Sequence, residues 1–294
     1  MHLPVGGEEK WRIMTKKLIV NADDFGIHPA VNEAVCRGFD EGILTSTSLM
    51  AGGDAFEEAV SLAKERKDLG IAVHLTLVGG IRTVLPPKDV PSLTWEGGRL
   101  CRDYMDLIRR DRKGLIRTGD VYREWDAQIR TVLGTGLPVT HLDGHQHMHM
   151  WPKFLKIALT LAEKYHIPCM RVPDENLFFG LGTSPFRYAA KNALTLLSRR
   201  NKVILHHHRI RTNDHFWGML YGGHLSEDRM VRLVSSLEKG VNEIMCHPSA
   251  DAAAMEETFH WGYHGDWELA SLLSPKVKDL IEERQISLIS YRDV

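Results

Sequence analysis

Leu18-Ile19-Val20-Asn21-Ala22-Asp23-Asp24-Phe25-Gly26 is an apolar run that stops abruptly at two adjacent carboxylates, an aromatic ring and a glycine. Uninterrupted apolar residues over this length read as a strand buried on both faces, the pattern of parallel sheets covered by helices, and here the strand's end carries charge. Two neighbouring carboxylates repel each other at neutral pH. A folded site keeps both only where a cation neutralises one or a proton resides on one. A metal ligand beside a general base meets that condition. Helix capping is the plainer alternative, since Pro29 to Glu41 reads as a helix with Val31, Ala34, Val35 and Phe39 on one face. A cap accounts for one aspartate and leaves the other unexplained.

Outward from this strand, the chain alternates strand-like and helix-like segments. Ile43–Met50 reads as a strand, 54–66 as a helix, and Gly70–Leu77 as a strand interrupted by His74. A segment from about 79 to 119, rich in Pro, Gly and charge, breaks the rhythm and reads as an insertion able to cover a site. A helix over 120–133, a strand over 139–143, a helix over 152–165 and a strand over 169–172 follow. A helix opened by Ser226 leads to a strand at 242–246, and Ser274-Pro275 opens a last helix before a strand at 287–291. This alternation predicts parallel βα units closing into a distorted (β/α) barrel, one α/β domain over residues 15–294. Residues 1–14 read as a loose leader, with Met14 as an alternative start.

The predicted strand ends collect the chemistry. Asp23 and Asp24, His74, Asp143 and His145, Arg171, and His247 all fall at or just past C-terminal strand ends, the face on which barrel enzymes build their sites. Between His141 and His149 lie four histidines and an aspartate, residue types that suit a divalent metal and proton transfer at neutral pH. Each feature has an ordinary alternative: a surface His-rich tract for 141–149, a satisfied core histidine for His74, a turn-shaping residue for His247, a buried ion pair for Arg171. If 145–150 is extended, His147 and His149 alternate with the methionines and stand behind the ligands. His206-His207-His208 matches no motif and reads as a solvated turn.

Composition narrows the classes. The chain of 294 residues has 43% hydrophobic and 26% charged residues and a formal net charge of −1, so no overall field favours nucleic acid or an anionic membrane. Its four cysteines, Cys36, Cys101, Cys169 and Cys246, form no CxxC pair, as expected for reduced thiols in the cytoplasm. The first residues lack a signal-peptide apolar core, and no stretch approaches a membrane span. The oligomeric state, a homo-oligomer included, is not set by these features.

NADDFG before a helix, the strand VHLTL, THLDGHQHMHMWP, the RVP at Arg171 and the late MCHP resemble, in order from about Lys17 to Ser249, the YdjC-like carbohydrate deacetylases, which include chitooligosaccharide deacetylases. Thr212–Gly218, TNDHFWG, resembles the branch associated with hopanoid biosynthesis, whose substrate is an acetylated sugar on a lipid. The resemblance implies a distorted barrel and one divalent metal, Mg2+, held by Asp24, His74 and His145, with Asp23 as catalytic base. Two imidazoles suit Zn2+ or Mn2+ better than a hard cation. His247 is the expected general acid, with Arg171 and Asp143 expected to bind substrate. The expected reaction is hydrolysis of the N-acetyl group of an acetylated amino sugar or glycolipid. A phosphoesterase on the same barrel lacks a GxxxxGK[ST] loop, and a non-catalytic metal- or sugar-binding protein has no use for the spare carboxylate.

Overall fold

A computed structural model describes residues 15–180 and 184–294; the expected leader lies outside the described residues. Six strands, β1 (Lys16–Phe25), β2 (Ser46–Leu49), β3 (Gly70–Leu75), β4 (Val139–Gly144), β5 (His215–Trp217) and β6 (Gly240–Cys246), pair in the order β4-β3-β2-β1-β6-β5, all parallel. A short β7 (Ser287–Leu288) adds to the start of β1.

The segment 169–172 closes the ring between β4 and β5. Leu142 bridges Met170 on one side and Cys169 bridges Arg211 on the other, with Arg171 N donating to Leu142 O at 3.0 Å and Met170 N to Arg211 O at 2.9 Å. The expected strand is therefore held at single bridges. Pro168 and Pro173 flank it and remove the amide donors a longer ladder needs.

Helices surround the strands: α1 (Pro29–Asp40), α2 (Phe56–Glu65), α3 (Tyr104–Arg112), α4 (Thr118–Gly134), α5 (Pro152–Lys164), α6 (Pro185–His207), α7 (Glu227–Ser236), α8 (Ala252–Phe259), α9 (Gly265–Leu273) and α10 (Pro275–Glu283). Strand residues Leu18, Val20, Ala22, Val73, Leu142 and Ile244 are fully buried in one continuous apolar core. Five elements were not foreseen: α3, α6, β5, α8 and α9. The triple histidine 206–208 ends α6 instead of forming a turn. All four cysteines are buried and unpaired. The 79–119 insertion is partly ordered, with short 3-10 turns at Pro87–Asp89 and Glu96–Gly98 before α3. Leu100 and Leu107 of this insertion are buried in the core, where an apolar side chain is most stable.

Candidate active site

Alternation along a strand sends consecutive side chains to opposite faces, so an unbroken β1 would separate Asp23 from Asp24. The pairing of β1 with β2 slips between Ala22 and Phe25, and Asp24 takes a left-handed backbone conformation, φ 67°. Aspartate tolerates that region better than most residues. The bulge turns both carboxylates toward the barrel mouth, where each faces His74: Nε2 lies 3.3 Å from Asp24 Oδ1 and 4.0 Å from Asp23 Oδ2. Neither aspartate caps α1. His28 does, its Nδ1 accepting from Ala30 N.

The register of β3 on β4 places His74 beside Asp143 and Leu75 beside Gly144, which delivers His145 to the same point. His74 Nδ1 bonds Asp143 Oδ1 at 2.7 Å, and this fixes the ring with Nε2 turned to Asp24. His145 Nδ1 lies 2.8 Å from Asp24 Oδ1. Backbone from His145 to Met150 is coiled, with left-handed Gln146 and His147, so the expected extended alternation fails there. His149 Nε2 is turned onto Arg171 O at 3.0 Å and the His147 ring packs edge-on to Phe216. Burial holds both imidazoles neutral, His149 down at about 4 and His147 well below its ordinary value.

Asp24, His74 and His145 bring ligand atoms within 4.8 Å of one another. Asp24 Oδ2, His74 Nε2 and His145 Nε2 are buried without hydrogen-bond partners. Buried polar atoms are seldom left so, and with Asp24 Oδ1 meeting both His74 Nε2 at 3.3 Å and His145 Nδ1 at 2.8 Å the cluster fits a cation. Burial alone would depress His74, but Asp143, Asp24 and Asp23 outweigh it and push it up to about 10, a second sign that this spot favours positive charge. A second grouping, Asp23, His74 and Asp143, shares His74. Its carboxylate oxygens are already taken by Arg171, Asn21 and Ser48, so it has less to offer a metal. Alanine at Asp24, His74 or His145 is expected to abolish stoichiometric binding of a divalent metal, while His147→Ala retains it. Elemental analysis of the purified variants decides this, and metal lost only from His147→Ala would overturn the ligand set.

Arg171 lies beneath this centre, fully buried. Its Nη1 and Nη2 clamp Asp23 Oδ2 and Oδ1, both at 2.8 Å; Nη1 lies 3.0 Å from Asp143 Oδ2, and Nε donates to Glu243 Oε1 at 2.7 Å. The guanidinium and His74 outweigh burial and hold Asp23 and Asp143 below the ordinary carboxylate range. Burial raises Glu243 to about 7. Arg171 and Asp143, expected to contact substrate, are fully buried here and bonded to one another and to their neighbours.

The YdjC-like protein family model matches residues 17–283. The chain belongs to the YdjC-like family. Proteins named carbohydrate deacetylase from Geobacillus stearothermophilus and Brevibacillus brevis are 32% and 33% identical to it, covering 95% of this chain and 98% and 99% of theirs. A solved structure from Enterococcus faecalis, described as a candidate cellobiose-phosphate cleavage protein, superposes with TM-score 0.75 at 30% identity over 95% of this chain and 98% of that one.

In this YdjC-like barrel the centre opens to a small cleft lined by Asp23, Asp24, His247, Trp261 and Tyr263. The β1–β6 register, Ala22 opposite Cys246, brings His247 to the aspartates. Its backbone N–H donates to buried Glu268, its ring packs 5.2 Å from Tyr263, and its Nδ1 has no partner. Phe259, Trp261 and Tyr263 form an aromatic wall, with Trp261 5.8 Å from the His145 ring and stacked on Phe259 at 4.7 Å. Trp261 also borders a wider groove of about 680 Å³ whose far side is the insertion, including Arg82, Trp95, Arg99 and Arg102. Tyr104 N donates to Gln146 Oε1 at 2.8 Å, tying the insertion to the histidine coil. Sequence reading missed Asn21, Ser48, Glu243 and the aromatic wall. A charge within the apolar VNEIMC run and aromatics at every second position of FHWGY were the available signals.

Proposed function

We propose that this chain is a metal-dependent hydrolase that removes the N-acetyl group from an acetylated amino sugar. The observation that carries the reading is the buried cluster of Asp24, His74 and His145, with ligand atoms within 4.8 Å of one another, beside Asp23, a separate carboxylate at the cleft wall. The relatives named carbohydrate deacetylase, matched along nearly their whole length, support the substrate class. Asp24, His74 and His145 hold the metal, which supplies Lewis acidity toward the amide carbonyl and acidifies water. Two imidazoles and a carboxylate favour Zn2+ or Mn2+, whereas the resemblance names Mg2+.

Asp23 is held unprotonated by Arg171 and takes the proton from the attacking water at a carboxylate oxygen. His247 delivers a proton to the departing amine from its ring. Asp143 and Arg171 position His74 and Asp23. The aromatic wall presents ring faces to the sugar, and the groove with Trp95 receives the rest of an amphiphilic or oligomeric acceptor. Residues 15–294 act as one catalytic domain in this reading, with 79–119 as a groove wall, and the four buried, unpaired thiols support a cytoplasmic location. The hopanoid-like segment Thr212–Gly218 serves the barrel wall, where Asn213 bonds both N and O of Val172. A lipid-linked acceptor is therefore argued from the groove.

Acetate release from N-acetylated sugars and glycolipids, with each metal and with chelator, tests the proposal. Chelator-sensitive acetate is expected. Phosphate without acetate would promote the phosphoesterase, and binding without turnover a non-catalytic protein. Trp95 is exposed, so Trp95→Ala is expected to raise KM roughly tenfold with kcat and metal content unchanged, the scale of one lost aromatic contact. An unchanged KM on every accepted substrate would remove the groove from substrate binding.

A further inference from the structure

α6 is built with its polarity reversed. A helix on a globular protein turns apolar residues inward and polar ones to water. The buried positions of α6 are Lys191, Thr195, Ser198, Asn201 and Leu205. Three of them are held by hydrogen bonds: Lys191 Nζ donates to Asn176 O at 2.6 Å, Thr195 Oγ1 to Glu175 O, and Asn201 Nδ2 to Met150 O. Phe186, Leu196, Val203 and Ile204 face outward at 66%, 58%, 58% and 38% exposure. Exposed Ala189, Ala190 and Ala193 lie among them. At 3.6 residues per turn these positions make one stripe about 27 Å long, most of the length of the 23-residue helix. Arg200 stands within the stripe, with Arg199 at its flank.

Charge identifies the occupant. From Asn176 to Asn213 the sequence contains no Asp or Glu and seven Lys or Arg. Asp174, paired with Arg199 at 2.8 Å, and Glu163, paired with His208, are acids from neighbouring elements that meet this helix. A second copy seated by two-fold symmetry would set cation against cation across an apolar seam, which is unfavourable. An apolar stripe with arginines inside it suits a lipid surface: the apolar groups enter the acyl boundary while guanidinium groups reach anionic headgroups. Among the described residues no helix is long and apolar enough to cross a membrane, so α6 would lie on the surface. The N-terminal end of the stripe adjoins the cleft. Arg187 Nη2 donates to Gly222 O at 3.4 Å, and a Cβ on Gly222 would sit 3.6 Å from the His247 ring.

We propose that the outward face of α6, Phe186, Leu196, Val203 and Ile204 with Arg199 and Arg200, docks this protein on an anionic lipid bilayer and holds the cleft mouth beside it. The proposal is independent of the reaction at the metal centre, and its test reads binding only. The full chain is sedimented with vesicles of phosphatidylcholine alone and with added phosphatidylglycerol. Binding is expected with phosphatidylglycerol, and it should fall as salt is raised. Phe186→Glu with Val203→Glu is expected to weaken partitioning at least tenfold, and Arg200→Glu about fivefold or more, the scale of one cation near such a surface. Both variants should keep the thermal midpoint of the parent because the altered side chains are exposed; Leu196→Glu provides the same test if the pair fails to fold. Absent binding to phosphatidylglycerol vesicles would overturn the proposal. So would equal binding by parent and variants, or a concentration-dependent dimer that these substitutions dissolve.

Discussion

Asp23→Asn is expected to keep its divalent metal and lose about 10²-fold or more in kcat, the usual scale for removal of a general base. The expectation follows from the division of labour within the bulge. Asp24 faces both histidines and keeps Oδ2 unpartnered, so it has an oxygen to give a metal. Asp23 is clamped by Arg171 through both oxygens and is touched by Asn21 Nδ2 at 2.9 Å. An amide at this position fills the same volume but cannot accept a proton, and it presents N–H groups to a guanidinium. Part of the lost rate will therefore reflect repositioning. Comparing metal content, KM and kcat separates the effects: metal retained, KM within a fewfold and kcat collapsed is the signature of a base. Metal loss in Asp23→Asn together with retention in Asp24→Asn would exchange the two roles.

How far the sequence discloses this site depends on which physical rule governs each residue. Period and burial are local properties, so β1, β3, β4 and β6 and most helices between them were legible, and with them the collection of Asp23, Asp24, His74, Asp143, His145 and His247 at one end of the barrel. The barrel fold follows from that alternation. The bulge at Asp24 was not legible, because a left-handed residue leaves no periodic trace; yet it is what lets adjacent carboxylates serve one site. His147 and His149 misled for the same reason, an extended reading being the default for a chain that coils. β5 has three residues, too few to show a period. α6 was missed because its inward face is polar, and pattern reading takes apolar residues as the mark of the core. Arg171 was noticed for its place at a strand end, but its partners come from β1, β4 and β6, up to 148 residues away, and no local rule reports a long-range ion pair.

That buried pair makes Arg171→Met a stability variant before it is a catalytic one. The guanidinium lies among Asp23, Asp143 and Glu243, with Tyr291 OH donating to Glu243 Oε2 at 2.6 Å, and none of these groups reaches bulk water. Methionine fills comparable volume without charge, leaving carboxylates whose mutual repulsion and desolvation nothing offsets. Removing one partner from a buried ionic cluster costs about 3–5 kcal/mol, far above the 0–1 kcal/mol of an exposed pair. A fall of about 10 °C in the thermal midpoint is the corresponding scale for a chain of this size. Arg171→Lys should recover only part of the loss. A single ammonium cannot span three carboxylates that the planar fork meets through Nε, Nη1 and Nη2. Unfolding should be followed in chelator, so that metal binding to the native state does not enter the comparison. A parent-like midpoint with a raised KM for Arg171→Met would return this residue to the substrate, as the sequence suggested. A large loss of stability with Lys intermediate assigns it to holding Asp23 and Asp143 in place.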